Sequence, residues 1–355
     1  MAVYEGAAVH YRERRRAYAP DAATAFAASV PAGALRADLG CGPGHYGPHL
    51  GVPLLSIDAA HAMLREVPGP LRVQADLVDL PLHDGCLHGA WASKCYQHLA
   101  HDALPAALAE LQRATVVGAP VVLTMFSGEG TRVTDSDDDL PGRLFSLWPP
   151  DRLVDVVVGA GFEVLAVEDA QGEWPQVRVV ARRARSLADH VGPGMRLLLC
   201  GLNPSLYSAD RGVNYARPGN RFWPAMLEAG LATVDRDPRH LLRHHAIGTT
   251  DLVKRATVAA DELDPDEYAA GVARVERLCA WLRPGALYLV GLAGWRAAVD
   301  RKARPGWQPE PLGGVPVYVG PSTSGLNAST QLPGHVAHLL AATERRTRDG
   351  SLRWR

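Results

Sequence analysis

Apolar and polar positions follow two alternating patterns along the first half of the chain. Short apolar runs, rich in residues that favour strands, occupy residues 35–39, 54–57, 71–74, 90–93 and 121–126. Between them lie segments such as residues 104–115, in which apolar residues recur at helical spacing. This alternation predicts a parallel sheet with helices on both of its faces.

The same alternation starts again after residue 194. We predict strands at residues 196–200, 287–290 and 315–319, and helices at residues 221–229, 265–282, 293–300 and 333–344. Since 355 residues exceed what one hydrophobic core usually supports, two domains are expected. The predicted fold class is therefore α/β in each of two domains.

The boundary between the domains is predicted within residues 181–194. This segment places three arginines within four residues and ends in Gly-Pro-Gly, which is typical of a solvated linker. We therefore predict a first domain at residues 1–184, a linker at 185–194, a second domain at 195–345 and a basic tail at 346–355.

Cysteine use and hydropathy indicate the compartment. Five cysteines occur without a C-x-x-C pair, which suits a reducing compartment and predicts a cytoplasmic protein. No stretch approaches the ~20 apolar residues of a membrane span, so no membrane association is expected.

Charge differs between the two halves of the chain. Residues 1–191 hold 16 basic and 23 acidic residues, a net charge of −7, whereas residues 192–355 hold 21 and 15, a net charge of +6. A polyanion-binding domain beside a small-molecule enzyme would show this asymmetry. The alternative is that the charge difference between the halves arises by chance, together with the arginine-rich tail.

A glycine-rich loop follows the first predicted strand. Its sequence is D-L-G-C-G-P-G, from Asp38 through Gly40 and Gly42 to Gly44. Glycines let the backbone turn sharply and approach a ligand at the carboxyl end of a parallel strand. Asp58 ends the next strand, about 20 residues on, where a carboxylate can bind ribose hydroxyls.

These residues resemble those of class I S-adenosylmethionine-dependent methyltransferases over roughly residues 1–184. The resemblance implies a Rossmann-like sheet and S-adenosyl-L-methionine as cofactor. It also implies that Asp38, Gly40, Gly42 and Gly44 hold the methionine end, that Asp58 holds the ribose, and that Asp76 meets the adenine. His88 departs from the family, in which an aspartate often stands there.

The methyl acceptor stays unknown at this level. Methyl transfer needs mainly alignment and exclusion of water, so no catalytic base is obligatory. Tyr96, His98 and His101 follow the fourth strand, but such histidines are more often structural. Two alternatives stay open for this domain. It binds a dinucleotide instead, or it keeps the cofactor-binding fold without catalytic activity.

Four separated motifs mark the second domain. G-L-N-P-S begins at Gly201, and Y-A-R-P-G-N-R-F-W begins at Tyr215. The segment from Gly248 to Val258 reads G-T-T-D-L-V-K-R-A-T-V, and the loop from Pro321 to Asn327 reads P-S-T-S-G-L-N. In sequence and order they resemble the motifs of the mismatch-specific uracil-DNA and thymine-DNA glycosylase family, with Ser205 in place of a glycine.

The resemblance implies a uracil-DNA-glycosylase-like parallel sheet and roles for several residues. Asn203 would position the attacking water, Tyr215 would stack on the extruded pyrimidine, and Leu326, in a DNA-binding loop with Ser324 and Gly325, would fill the gap in the duplex. An amide has no useful basicity near neutral pH, so Asn203 can orient water but cannot remove its proton. The mechanism predicted is dissociative and slow.

We therefore predict a DNA-repair glycosylase that hydrolyses the N-glycosidic bond of uracil or a related damaged pyrimidine in mispaired duplex DNA, fused to a methyltransferase. Two alternatives stay open. The protein is chiefly a methyltransferase whose second domain only binds nucleic acid, or both domains are non-catalytic binders. No His, Cys and Asp cluster has metal-ligand spacing, so no metal is expected.

Overall fold

A computed structural model describes residues 2–327 and 329–344 of the chain. These residues divide into two compact units, with the boundary between Ala184 and Arg185. The predicted basic tail at 346–355 lies outside the described residues. Within the described ranges, no helix combines the length and apolar character that crossing a membrane requires.

The strands are numbered along the chain. In the first unit they are β1 Arg36–Leu39, β2 Leu54–Asp58, β3 Arg72–Gln74, β4 Ala90–Ser93, β5 Pro120–Phe126, β6 Thr131–Val133, β7 Leu144–Ser146, β8 Phe162–Ala170 and β9 Gln176–Arg183. In the second unit they are β10 Leu197–Gly201, β11 Ile247–Asp251, β12 Leu287–Val290, β13 Gly306–Trp307 and β14 Val317–Gly320.

The first unit is built on a sheet that has seven strands in the described part of the chain, in the order β3-β2-β1-β4-β5-β9-β8. The five strands from β3 to β5 are parallel, and β9 runs antiparallel to both β5 and β8. Strands β6 and β7 form a separate antiparallel ribbon. The helices are Ala2–Glu5, Ala8–Arg14, Pro20–Ser29, Gly47–Leu50, His61–Glu66, Leu104–Ala114 and Pro150–Gly159.

The second unit has its own sheet, whose described strands follow the order β11-β10-β12-β14-β13. All neighbours are parallel except β13, which pairs antiparallel with β14. The helices are Leu206–Arg211, Phe222–Glu228, Pro238–His245, Pro265–Leu282, Ala293–Ala298 and Leu332–Thr343. The mixed α/β fold expected from the sequence is confirmed.

Helices cover both faces of the second sheet. Its central strands are apolar along their length and therefore need burial on both sides. Leu198 and Cys200 of β10 pack into one core cluster with helix Pro265–Leu282. Leu197 and Leu199 point to the opposite cluster, formed with helices Phe222–Glu228 and Leu332–Thr343. A strand buried on both faces has no polar side, which is the pattern of a parallel sheet between helix layers.

The order of strands reverses at one place in each sheet. In the first unit β1 lies between β2 and β4, and in the second β10 lies between β11 and β12. Chains leaving the carboxyl ends of β1 and β10 diverge from their neighbours there and open a crevice, the usual ligand site of such sheets. The glycine-rich loop and the Asn203 loop each begin at this point.

The prediction of a solvated linker at 185–194 is wrong. Leu187, Ala188 and Val191 are buried. The backbone of His190 exchanges two hydrogen bonds with the backbone of Thr249 in β11. The carboxylate of Asp189 is buried as well and bonds Lys254 at 2.8 Å and Arg274 at 2.7 Å. These partners stand 65 and 85 residues away, so local composition could not reveal them.

Candidate functional sites

The loop after β1 needs glycine at its turning points. Gly40, Gly42 and Gly44 have φ values of 59°, 53° and 83°, which side-chain-bearing residues rarely adopt. A Cβ on Gly40 would stand 2.2 Å from the Cβ of Cys95, just beyond β4. Glycine at position 40 therefore lets the loop pack directly against the chain that leaves β4.

Asp38 is a buried carboxylate at the start of this loop. Its Oδ2 atom is fully enclosed and has no hydrogen-bond partner among the described residues. Burial, and then the charge of Asp58, raise the pKa of Asp38 to about 8. A cationic group placed against this oxygen would satisfy it, because an opposite charge favours the ionised carboxylate.

Asp58 ends β2 and closes the loop from the other side. One carboxylate oxygen accepts the backbone N–H of Gly42 at 2.8 Å, and the other accepts that of Ala60 at 2.8 Å. Burial nevertheless raises its pKa. Each oxygen keeps a further lone pair for a ligand hydroxyl.

Two adjoining cavities open at this edge of the sheet. The smaller, of about 260 Å³, is lined by Asp58 and the exposed Asp76. The larger, of about 590 Å³, is lined by Asp38. Gly40 and Gly42 border both, whereas Gly44 borders neither and instead turns the chain against Val67. The structure therefore brings five of the six predicted cofactor residues to one crevice.

The two histidines after β4 are both held by hydrogen bonds, and His98 also lines both cavities. His98 binds the hydroxyl of Tyr4 at 3.0 Å and the carbonyl of Leu144 at 2.7 Å, and burial lowers its pKa to about 4. His101 engages the Leu147 carbonyl at 2.9 Å. Tyr96 is fully buried, and its hydroxyl has no hydrogen-bond partner in the described chain.

Lys94 is a site residue that was not singled out from the sequence. It follows β4 directly, has a φ of 61° and borders both cavities. A non-glycine residue at such a φ carries a backbone cost that functional sites often retain. The available signal was a charged residue directly after a buried strand at the point where the strand order reverses.

Asn203 is held in the turn after β10 by its own amide. The Nδ2 group donates to the Thr257 hydroxyl at 2.8 Å, the Arg255 carbonyl at 3.0 Å and the Pro204 carbonyl at 3.3 Å. Carbonyl oxygens only accept hydrogen bonds, so this edge of the amide must be the NH₂. The Oδ1 oxygen, which accepts no bond from the described residues, faces the other way.

Ser205 replaces a family glycine without backbone strain. It caps the helix Leu206–Arg211, with its hydroxyl accepting the Ser208 N–H at 3.2 Å. Its φ of −71° is accessible to any residue. Serine at an N-cap satisfies a helix amide that would otherwise lack a partner.

Tyr215 lies beside the start of the Asn203 loop. Its ring stacks on Phe222 with centroids 3.9 Å apart. A Cβ added to Gly201 would be 2.9 Å from the Tyr215 hydroxyl oxygen, so the two residues are neighbours. The hydroxyl is buried without a hydrogen-bond partner among the described residues, and burial raises its pKa well above the ordinary value.

The loop after β14 is braced against the Tyr215 segment. Arg221 donates to the Asn327 carbonyl at 2.8 Å and, through its backbone, to the Thr323 carbonyl at 2.9 Å. Between these anchors, Ser324 accepts the N–H of Leu326 at 3.3 Å, and Gly325 approaches the backbone of Gly219. Leu326 is 92% exposed at the tip.

Asp251 was not selected from the sequence although the structure places it at the site. It ends β11 opposite Gly201, and its carboxylate accepts the Asn214 amide at 3.0 Å. Burial raises its pKa to about 6. The available signal was an acidic residue within the third motif, at the end of a buried strand. Within residues 2–327 and 329–344, no cluster of three or more His, Cys, Asp or Glu side chains is arranged to hold a metal ion.

Family models match both units. The model described as the uracil DNA glycosylase superfamily matches residues 188–344. The model described as a methyltransferase domain matches residues 37–123.

Three solved structures illustrate the similarity to known folds. An S-adenosylmethionine-dependent methyltransferase from Methanosarcina mazei is 15% identical, with 45% of this chain and 97% of that chain covered and a TM-score of 0.40. The 1,6-didemethyltoxoflavin-N1-methyltransferase of Burkholderia thailandensis is 18% identical, with 52% and 88% covered and a TM-score of 0.40. A methyltransferase from Mesorhizobium loti is 18% identical, with 46% and 100% covered and a TM-score of 0.36.

The two family models confirm the resemblances noted in the sequence at the level of the superfamily and of the domain. The chain carries a methyltransferase domain and a domain of the uracil DNA glycosylase superfamily.

Proposed function

We propose that the second unit is a DNA glycosylase that removes uracil, or a related damaged pyrimidine, from mispaired duplex DNA. The observation that carries this proposal is the fixed amide of Asn203, which leaves its Oδ1 oxygen free to accept a hydrogen bond from water. The match to the uracil DNA glycosylase superfamily and the basic charge of this half of the chain support it.

Base removal from a duplex begins with extrusion of the nucleotide. Leu326 is suited to enter the gap, because it is exposed at the tip of a braced loop and its insertion would leave no hole in the protein core. Tyr215, whose ring is held against Phe222, would stack on the extruded pyrimidine with its other face.

Bond cleavage then follows a dissociative course. The glycosidic bond breaks with its electron pair going to the base, which leaves as an anion. Water held by Asn203 Oδ1 adds to the sugar and loses its proton to solvent, since an amide is no base. Bases that are good leaving groups are favoured, and turnover is slow.

We also propose that the first unit binds S-adenosyl-L-methionine. The residues fit this cofactor. The enclosed Oδ2 of Asp38 lacks a partner and would accept a hydrogen bond from a cationic amine. The loop packs so closely at position 40 that only glycine fits there. When bound, the cofactor supplies an electrophilic methyl group. Asp58 and Asp76 line the smaller cavity, where they would hold the ribose and adenine.

The test of the glycosylase uses duplexes with a single U:G pair, followed by alkali, which breaks the strand at an abasic site. The protein is expected to produce breaks at the uracil position, and Asn203→Ala is expected to produce almost none. Duplex binding without breaks would instead favour a methyltransferase whose second domain only binds nucleic acid. Labelled methyl transfer into DNA or RNA, lost in Gly40→Asp, would support that alternative.

A further inference from the structure

The side chain of Lys94 stands where the two cavities of the first unit meet. Its backbone N–H donates to the Thr124 carbonyl at 2.7 Å, which fixes the turn after β4. Its ammonium lies 4.0 Å from the ring centroid of Tyr18 and 5.4 Å from that of Phe126. Aromatic faces attract a cation, but they do not neutralise it.

No carboxylate in the described ranges lies within ion-pair distance of this ammonium. Burial, and then the nearby Arg15, lower the pKa of Lys94 to about 8. Lys94 is thus a partly desolvated cation that contacts two aromatic rings and lies near a second cation. An anion would be stabilised beside it.

The larger cavity is also shaped for a flat ring. Tyr18 and Trp174, which line it, are 58% and 47% exposed, so much of their apolar ring surface is open to a ligand. Phe126 packs on Trp174 with centroids 5.7 Å apart, and on Phe145 at 5.4 Å. The volume of the cavity, about 590 Å³, falls in the range of small-molecule sites.

The charge of the surroundings disfavours a nucleic acid in this cavity. Four acidic and four basic side chains line it, with Asp138 and Asp139 paired to Arg143 and Arg15, so the lining itself is close to neutral. Residues 1–191 as a whole carry a net charge of −7, which repels a polyanion, whereas a small molecule with one negative group can reach Lys94.

We propose that this cavity is the methyl-acceptor site, and that it takes a small aromatic molecule with an acidic ring hydroxyl, bound as its anion against Lys94. The inference rests on the proposed methyltransferase function. The hydroxyl loses its proton to solvent on binding. Its oxygen then forms a bond to the methyl carbon as the carbon–sulfur bond breaks, and the electron pair of that bond neutralises the sulfonium. Lys94 stays protonated throughout.

The experiment titrates full-length protein with 4-nitrophenol, whose phenolate form absorbs visible light. Spectra are recorded with and without S-adenosylhomocysteine, whose own binding is measured by calorimetry. An opposite charge at this distance is expected to lower the pKa of the bound phenol by about one unit or more, so the phenolate band should grow on binding.

The control variants separate charge from folding. Lys94→Met is expected to abolish the growth of the phenolate band, and Lys94→Arg, which keeps the charge, is expected to retain most of it. Lys302→Met changes an exposed lysine of the other unit and should behave as wild type. Thermal melting checks that each variant is folded.

Three results would overturn the inference: no growth of the phenolate band in wild type, equal growth in Lys94→Met, or faster methylation of an oligonucleotide than of the phenol. S-adenosylhomocysteine binding without phenolate enrichment would overturn the acceptor class and leave the donor site standing. Enrichment without S-adenosylhomocysteine binding would support the anion site and contradict the methyltransferase function.

Discussion

The amide nitrogen of Asn203 lies 2.8 Å from the hydroxyl oxygen of Thr257, although 54 residues separate them in the chain. The backbone N–H of Thr257 also donates to the Pro204 carbonyl at 3.2 Å. The buried Thr257 therefore holds both the side chain and the turn of the residue proposed to position water.

Thr257→Val should slow uracil release without weakening DNA binding. Valine keeps the shape but removes the hydroxyl acceptor, so the Asn203 amide gains rotational freedom. We expect a loss of about tenfold in the single-turnover rate and of about 1 kcal/mol in stability. The measurement is single-turnover excision, with duplex affinity followed by fluorescence anisotropy. Thr233→Val, at an exposed threonine, is the matched control; equal rates in the two variants would contradict the role of Thr257.

Leu326→Ala should lower excision from duplex DNA more than excision from a single strand. The side chain is almost fully exposed, so its loss costs little folding stability. Only a duplex leaves a gap to fill when a base is extruded. The ratio of duplex to single-strand excision rates measures the effect. Leu227→Ala, at another exposed leucine, serves as control. A similar loss on both substrates would rule out the wedge.

Asp251→Asn should stabilise the second unit near neutral pH. Burial raises the pKa of Asp251 to about 6, so the folded state holds a proton that the unfolded state releases between about pH 4 and 6. The free energy of unfolding therefore falls as pH rises through this window, and the penalty is complete above it. A shift of about two units corresponds to an upper bound of about 3 kcal/mol.

Asparagine removes this penalty and can still accept the Asn214 amide. Hydrogen exchange of the amides of β10 in the full chain, measured from pH 4 to 7, reports the change. Asp261→Asn, at an exposed position, should keep the wild-type slope. An Asp251→Asn protein with the wild-type slope would show that Asp251 does not titrate in this window.

Affinity for S-adenosylhomocysteine should rise with pH up to about 8. The pKa of Asp38 is raised to about 8 by burial, so the free protein carries a protonated Asp38 at pH 7, whereas pairing with the ligand ammonium needs the ionised form. Binding then releases a proton, and affinity should increase up to about tenfold per pH unit between pH 6 and 8.

Calorimetry in buffers of different ionisation enthalpy measures this proton release. Asp38→Asn should bind more weakly and lose the pH dependence, whereas the exposed Asp169→Asn should behave as wild type. Affinity that falls with rising pH in this range would contradict the pairing of Asp38 with the amine.

The sequence predicted most elements whose pattern is local. The helix Pro265–Leu282 and strands β4 and β12 have the predicted bounds. Strands β8 and β9 were not predicted, although they extend the first sheet. Seven of the nine residues in β8 are exposed, and a bulge between Val164 and Ala166 breaks the alternation of apolar and polar positions that marks a half-buried strand.

Long-range pairing explains most of what the sequence left out. Asp189 looked like a linker residue because its partners, Lys254 and Arg274, are distant in the chain. Glycine motifs identified the crevice at Gly40 and Gly42, since their backbone constraint is local. The unpartnered oxygen of Asp38 and the aromatic surroundings of Lys94 depend on packing between elements, which no local pattern specifies.

The role of Asn203 is tested most directly by the single-turnover rate of uracil release from a U:G duplex by wild type and Asn203→Ala, with duplex affinity measured in parallel. We expect release by wild type, a loss of at least about a hundredfold in the variant, and an affinity within about twofold. No release by wild type, or equal release by both proteins, would contradict this role.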